Sequence, residues 1–297
     1  MVKRIDVEFE VDGQIKLRGW LFVPPGEGRR PSITMAHGYA GVKEHALEPI
    51  AKAFAEAGFV VLLHDHRGFG ASEGTPRQDV DPWRQIADWR RAISYLETLD
   101  VVDPERIGLW GTSYAGGHAI VLGATDRRLR CVVAQVPTIS GYEQGLRRIA
   151  PENVSAIEEV FADDDRAQLR GEAPRRQAVV SADSSVPASY RTKDAIEFYL
   201  QTVPEGAWEN NVTVRSTRAS RMYEPGHWIS RVSPTPLLMV VATRDTITLT
   251  DLELAAYERA LQPKRLVTIE GGHFDPYQSR FRQSSEAAAE WFKLHLG

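Results

Sequence analysis

Arg106-Ile107-Gly108-Leu109-Trp110-Gly111-Thr112-Ser113-Tyr114-Ala115-Gly116-Gly117 joins an apolar run to a helical pattern through a turn of small residues. Arg106 to Trp110 reads as a buried strand, and the helical stretch opens at Tyr114. A turn this tight between strand and helix needs small residues two positions before and two after its tip, and Gly111 and Ala115 meet that demand. Ser113 then stands at the tip, over a helix N-terminus whose free N–H groups favour negative charge. This is the local context in which a serine works as a nucleophile, and Ser113 is the candidate.

The pattern extends in both directions. Strand-like apolar runs are Ser32 to Ala36, Phe59 to His64, Cys131 to Val136, Pro236 to Ala242 and Arg265 to Ile269. Helical patterns alternate with them at Leu47 to Ala57, Pro82 to Leu99, Tyr114 to Gly123, Leu252 to Leu261 and Ser279 to Leu296. Nearly continuous apolar strands alternating with helices predict an α/β fold: a mostly parallel twisted sheet with helices on both faces. Ahead of it, Val2 to Val11 and Ile15 to Val23 alternate apolar and polar residues around Asp12-Gly13, which predicts an antiparallel hairpin at one edge. Ile139 to Arg231 breaks the alternation, with helical segments at Val154 to Arg170 and Tyr190 to Thr202 and no convincing parallel strand. A stretch so long is not a loop. It is expected to be a helical cap insertion at 139–231, dividing a core made of 1–138 and 232–297.

A serine nucleophile needs a base, and the base needs an acid to orient it. Of the eight histidines, His273 follows the last strand candidate within Gly271-Gly272-His273-Phe274. Asp245 ends the run Leu237 to Ala242 at the same predicted sheet edge. Asp275 is the rival acid but shares the histidine's loop, and Asp251 suits a helix start. Two backbone donors for an oxyanion are expected: the Tyr114 N–H after the serine, and the Tyr39 N–H in His37-Gly38-Tyr39-Ala40-Gly41, where glycine permits close approach. Asp65 to Gly74 reads as a structural loop, with Asp65 and Arg67 bonding backbone. His64 falls within the apolar strand and reads as a core histidine with its hydrogen bonds satisfied.

Composition narrows the function classes. The net charge of −4, with no basic run, gives nucleic acid no electrostatic footing. No run reaches the roughly 18 apolar residues of a membrane span, and Met1 to Asp6 lacks a leader's apolar core, so a cytoplasmic protein is expected. The lone Cys131 forms no internal disulfide and suits a core strand. The histidines and acids show no metal-ligand spacing, so no metal is expected.

Together, His37-Gly38, the Asp65 to Gly74 loop, the turn at Ser113, Asp245 and His273 resemble the α/β-hydrolase superfamily over nearly the whole chain except the cap. The order Ser, Asp, His matches that superfamily. Ser113-Tyr114 and Gly271-Gly272-His273-Phe274 look most like its bacterial dienelactone hydrolase-like esterases and relatives of Xaa-Pro peptidases. Ala115 replaces the commoner glycine. The resemblance implies a serine hydrolase cleaving an ester or lactone of a small-molecule acyl substrate without a cofactor. Thioester, amide and carbon–carbon bond cleavage use the same framework. A peptidase would want an acidic pair such as Glu158-Glu159 to hold an amine. A ligand-binding pseudo-hydrolase would not need the complete set of three. A homodimer is compatible with the sequence. Tyr142, Tyr190, Trp208 and Trp228 of the cap, with Phe274, are the expected substrate contacts, drawn from a cap that also offers Phe161, Phe198, Tyr199 and Tyr223.

Overall fold

Alternation at the N-terminus produces two strands, β1 (Lys3–Val11) and β2 (Ile15–Val23), paired antiparallel with Val11 opposite Ile15. Gly13 and Gln14 turn the hairpin with positive φ. The apolar runs that follow form β3 (Arg30–Ala36), β4 (Val60–His64), β5 (Val102–Thr112) and β6 (Leu129–Gln135). Two late strands, β10 (Leu237–Ala242) and β11 (Lys264–Ile269), complete an eight-stranded sheet of order β1-β2-β4-β3-β5-β6-β10-β11. β2 runs antiparallel to β4, and every pairing from β4 to β11 is parallel. This computed structural model describes residues 1–297.

The helices cover both faces. α1 (Glu48–Glu56) and α9 (Phe281–Leu296) pack together on one side, and α2 (Pro82–Glu97) and α3 (Tyr114–Thr125) on the other. Asp81 caps α2 by accepting the N–H groups of Trp83 and Arg84, with Pro82 fitting the first turn. α8 (Thr250–Arg259) lies against β10. Cys131 is buried in β6, where burial pushes its thiol upward. No helix is long and apolar enough to cross a membrane.

From β3 the chain goes to β4 on one side and later to β5 on the other, so the order reverses between β3 and β5. At such a reversal the loops leaving the carboxyl ends of the strands part and leave a crevice. Ala36 and Gly111 are paired there, which sets the Tyr39 loop beside Ser113.

Between β6 and β10 the chain makes α4 (Gly141–Arg148), α5 (Val154–Leu169), α6 (Lys193–Tyr199) and α7 (Val214–Arg221). Three short strands accompany them: β7 (Arg176–Val180), β8 (Ala188–Tyr190) and β9 (Val212–Thr213), in the order β8-β7-β9. The segment is therefore less purely helical than expected. Strands this short leave too little alternation to stand out, and Tyr190 closes β8 instead of opening a helix. Where the segment leaves and rejoins, its backbones are bonded: the Gly141 N–H donates to Tyr223 O and the Gly226 N–H to Ile139 O, both at 2.8 Å. A 3₁₀ stretch, Pro225–Arg231, then packs on α3 before β10 begins.

Candidate active site

Ser113 holds φ 55° and ψ −120°, a conformation that a non-glycine residue adopts only under constraint. Its N–H donates to Gln135 O at 2.8 Å, and its carbonyl accepts the Thr138 N–H at 2.9 Å, so β6 and the strand exit hold the turn. A side chain at Gly111 would run into the Ala115 carbonyl. A Cβ at Gly38 would lie 2.9 Å from Ser113 Cβ, so glycine is what lets this loop close over the serine.

The loops after β10 and β11 bring in the other two side chains. They are zipped together by Thr243 N–H to Ile269 O and Arg244 N–H to Gly271 O. His273 Nε2 lies 3.0 Å from Ser113 Oγ, and His273 Nδ1 lies 2.6 Å from Asp245 Oδ2. Asp245 Oδ1 accepts the N–H groups of Ile247 and Thr248, and Oδ2 also accepts the Thr248 hydroxyl. Burial pushes the Asp245 carboxyl up, but the His273 ring and the Thr248 donors outweigh it and hold the group below its usual range. An ionised Asp245 requires the proton on Nδ1, which leaves Nε2 to accept from Ser113. Asp275 faces elsewhere: it accepts the Gly272 N–H and the Ser279 hydroxyl.

The Tyr39 N–H donates to nothing else in the chain. Tyr114 opens α3, so its N–H has no carbonyl four residues back in the helix. Both N–H groups belong to residues that flank the serine. The carbonyl side of the Tyr39 loop is fastened to the inserted segment: the Tyr199 hydroxyl donates to Tyr39 O at 2.6 Å and Trp208 Nε1 to Ala40 O at 2.7 Å.

Over Ser113 lies a small cavity of about 20 Å³, walled by Leu47, His45, Phe198, Tyr199, Phe274 and Tyr277. That is room for about one water. Phe198 and Phe274 stack at 4.4 Å, and the Tyr277 hydroxyl is bonded to Thr112. Of the expected contacts, Phe274 lines the cavity. Tyr190 and Trp208 stand behind its wall, each stacked on Tyr199. Tyr142 and Trp228 are not brought to it, which corrects the expectation for both. Glu224 accepts the Tyr142 N–H and fixes the start of α4 so that Tyr142 is 57% exposed, beside a separate cleft. Trp228 sits in the 3₁₀ stretch under the Arg231 guanidinium. Which side of a cap helix faces the serine is a tertiary property that aromatic content does not reveal.

Three features went unread in the sequence. Phe198 and Tyr199 were only two among many cap aromatics. Thr248 gives Asp245 a hydroxyl donor, and Glu253, fully buried on α8, lies 3.0 Å from that same hydroxyl. The available signal was spacing: positions three and eight after Asp245 fall on the loop and first turns of the following helix. Asp65 bonds loop backbone as expected, Arg67 reaches outside its loop to Asp12 O, and His64 departs from expectation in that its ring has no hydrogen-bond partner. Asp65 accepts from the Lys43 and Ala71 N–H groups and pairs with the Lys43 ammonium, and Arg67 pairs with Asp88.

Behind the serine four histidine rings pack edge to face: His64 and His118 each meet His66, which lies 4.6 Å from His37. His118 bonds the Tyr223 hydroxyl and Gln85, while neither nitrogen of His64 has a partner. Burial pushes His37 down to about 4 and His64 and His118 to about 3. No three His, Cys, Asp or Glu side chains converge in a metal-holding arrangement.

Comparison with known proteins shows the same framework. The family profile described as X-Pro dipeptidyl-peptidase (S15 family) matches residues 12–275. The quorum-quenching protein AidA of Acinetobacter baumannii (strain MDR-ZJ06) is 32% identical over 276 residues, covering 92% of this chain and 88% of its own. A thiohydrolase of Eupenicillium brefeldianum is 28% identical over 281 residues, covering 93% and 89%. The polyketide transferase GrgF of Penicillium sp is 32% identical over 273 residues, covering 92% and 90%. The crystal structure of the α/β-hydrolase GrgF from Penicillium sp. sh18 superposes with a TM-score of 0.86 at 30% identity over 99% of both chains.

Proposed function

Because the chain belongs to the S15 family of α/β-hydrolases and is therefore an enzyme of hydrolase type, we propose that it cleaves a carboxylic ester or lactone through an acyl-enzyme on Ser113. The observation that carries this reading is the unbroken line from Asp245 through His273 to Ser113 Oγ, ending under two free backbone donors.

In this reading His273 Nε2 takes the proton from Ser113 as Oγ attacks the carbonyl carbon. The carbonyl oxygen becomes an oxyanion, stabilised by the N–H groups of Tyr39 and Tyr114. Asp245 offsets the charge on the imidazolium. The proton passes to the leaving alkoxide, the acyl group stays on Ser113, and His273 then activates water to release the acid. No cofactor enters these steps. The cavity wall carries aromatic and aliphatic groups and no carboxylate, lysine or arginine, which suits an uncharged acyl chain.

The family description names a peptidase, and that reading wants an anchor for a substrate amine. Glu158 and Glu159 are exposed on α5 and paired with Arg221 and Arg166, away from the cavity. Thioesters are the alternative that the relatives favour, since one of them is named a thiohydrolase; the same steps would expel a thiolate.

The test is active-site labelling. A fluorophosphonate should modify Ser113, located by mass spectrometry, and Ser113→Ala should stay folded while losing roughly three or more orders of magnitude in turnover. A panel of esters, lactones, thioesters and aminoacyl amides then ranks the substrates. Labelling at another serine, or full turnover by the alanine variant, overturns the reading.

A further inference from the structure

Thr248 Oγ sits between two carboxyl groups: Asp245 Oδ2 at 2.8 Å and Glu253 Oε1 at 3.0 Å. A hydroxyl has one proton and can satisfy only one carboxylate fully. Asp245 must be the ionised partner, because it also accepts the His273 Nδ1 proton and two backbone N–H groups. Glu253 has none of that support. It is completely buried, Oε2 has no partner, and no Lys, Arg or His forms an ion pair with it.

We propose that Glu253 is held as the neutral acid, donates its proton to Thr248 Oγ, and so commits the Thr248 hydroxyl to Asp245. The chain of donors then runs one way, from Glu253 through Thr248 to the Asp245 carboxylate that orients His273. Glu253 is a positioning residue three hydrogen bonds removed from the imidazole. The inference rests on the triad proposed above.

The surroundings agree. Burial first, and then repulsion from Asp245, push the Glu253 carboxyl well above its usual range, with only the Thr248 hydrogen bond opposing them. Other charged groups nearby are engaged elsewhere. Arg148 of α4 donates to Ile247 O, and Arg147 pairs with Asp251 on the exposed side of α8. On the 3₁₀ stretch packed against α8, His227 and Arg231 are exposed.

Two measurements test it, one independent of catalysis. If Glu253 folds as the neutral acid, the native state must bind a proton that the unfolded chain releases above its ordinary carboxyl range. Glu253→Gln needs no such proton. Its melting temperature relative to the parent should therefore rise steadily as pH increases from about 4.5 to 8. A difference that stays flat with pH overturns the proposal, whatever Ser113 does. The second measurement is kinetic. Thr248→Val should lower kcat about tenfold with KM within about twofold, and Thr248→Ser should recover most of the loss. Glu253→Gln should keep the midpoint of the rising limb of kcat/KM against pH. A midpoint lowered by about half a unit or more would mean that an anion had been removed, and would overturn the neutral acid. Wild-type turnover in Thr248→Val would overturn the positioning role. Fluorophosphonate labelling of Ser113 in each variant separates these failures from a failure of the triad itself.

Discussion

Asp245 spends both carboxylate oxygens on donors, one of which is His273. Asp245→Asn should therefore keep the fold yet lower kcat by roughly three to four orders of magnitude, because an amide facing Nδ1 favours the wrong tautomer. Asp275→Asn, whose carboxylate serves only its own turn at Gly272 and Ser279, should stay within about tenfold of the parent. Steady-state kinetics on both variants checks the assignment, and the opposite ranking would make Asp275 the acid. Ser113, Asp245 and His273 were legible because each follows an apolar strand, so local pattern alone set all three at one sheet edge. Thr248 and Glu253 were not. A threonine in a turn and a glutamate in a helix are ordinary on any surface, and only folding α8 back against β10 turns them inward.

At the scale of elements, the parallel strands were readable because burial on both faces leaves nearly unbroken apolar runs. The inserted segment was harder to read. Its strands are short and its helices carry aromatics on more than one side. α6 is its working part, supplying Phe198 to the cavity wall and the Tyr199 hydroxyl to Tyr39 O. Tyr199→Phe removes that bond while keeping the ring. It should reduce kcat by about two- to tenfold on every ester, the range expected for one hydrogen bond that steadies the Tyr39 N–H. Phe198→Ala opens the cavity instead, so its effect should depend on acyl length, with longer acyl groups gaining relative to acetyl. Turnover over a series of acyl chain lengths distinguishes the two patterns. An unchanged preference in Phe198→Ala would move substrate selection to the loops around Tyr39 and Phe274.

Across the whole molecule, the buried histidines link the fold to acidity. His37, His64, His66 and His118 all have their protonation shifted down by burial, His37 to about 4 and His64 and His118 to about 3, against an ordinary 6.5. The folded rings are neutral, and the unfolded rings bind protons below about 6.5. Their contribution to stability is therefore complete above that pH and is lost as pH falls toward 4, by about 1.4 kcal/mol per pH unit for each ring. Calorimetry should find the melting temperature dropping steeply between about pH 6 and 4. His64→Leu, which strands no partner, should make the drop shallower. A melting temperature that is level over that range would contradict the account. The paired bonds between Gly141 and Tyr223 and between Ile139 and Gly226 have a different consequence. They bring the two ends of an excursion of some eighty residues side by side at a fixed neck, outside the sheet register. Everything beyond the neck is an exchangeable cassette. Changes there that spare the Tyr199 and Trp208 bonds to the Tyr39 loop can reshape what covers Ser113 without altering a pairing of the eight-stranded sheet.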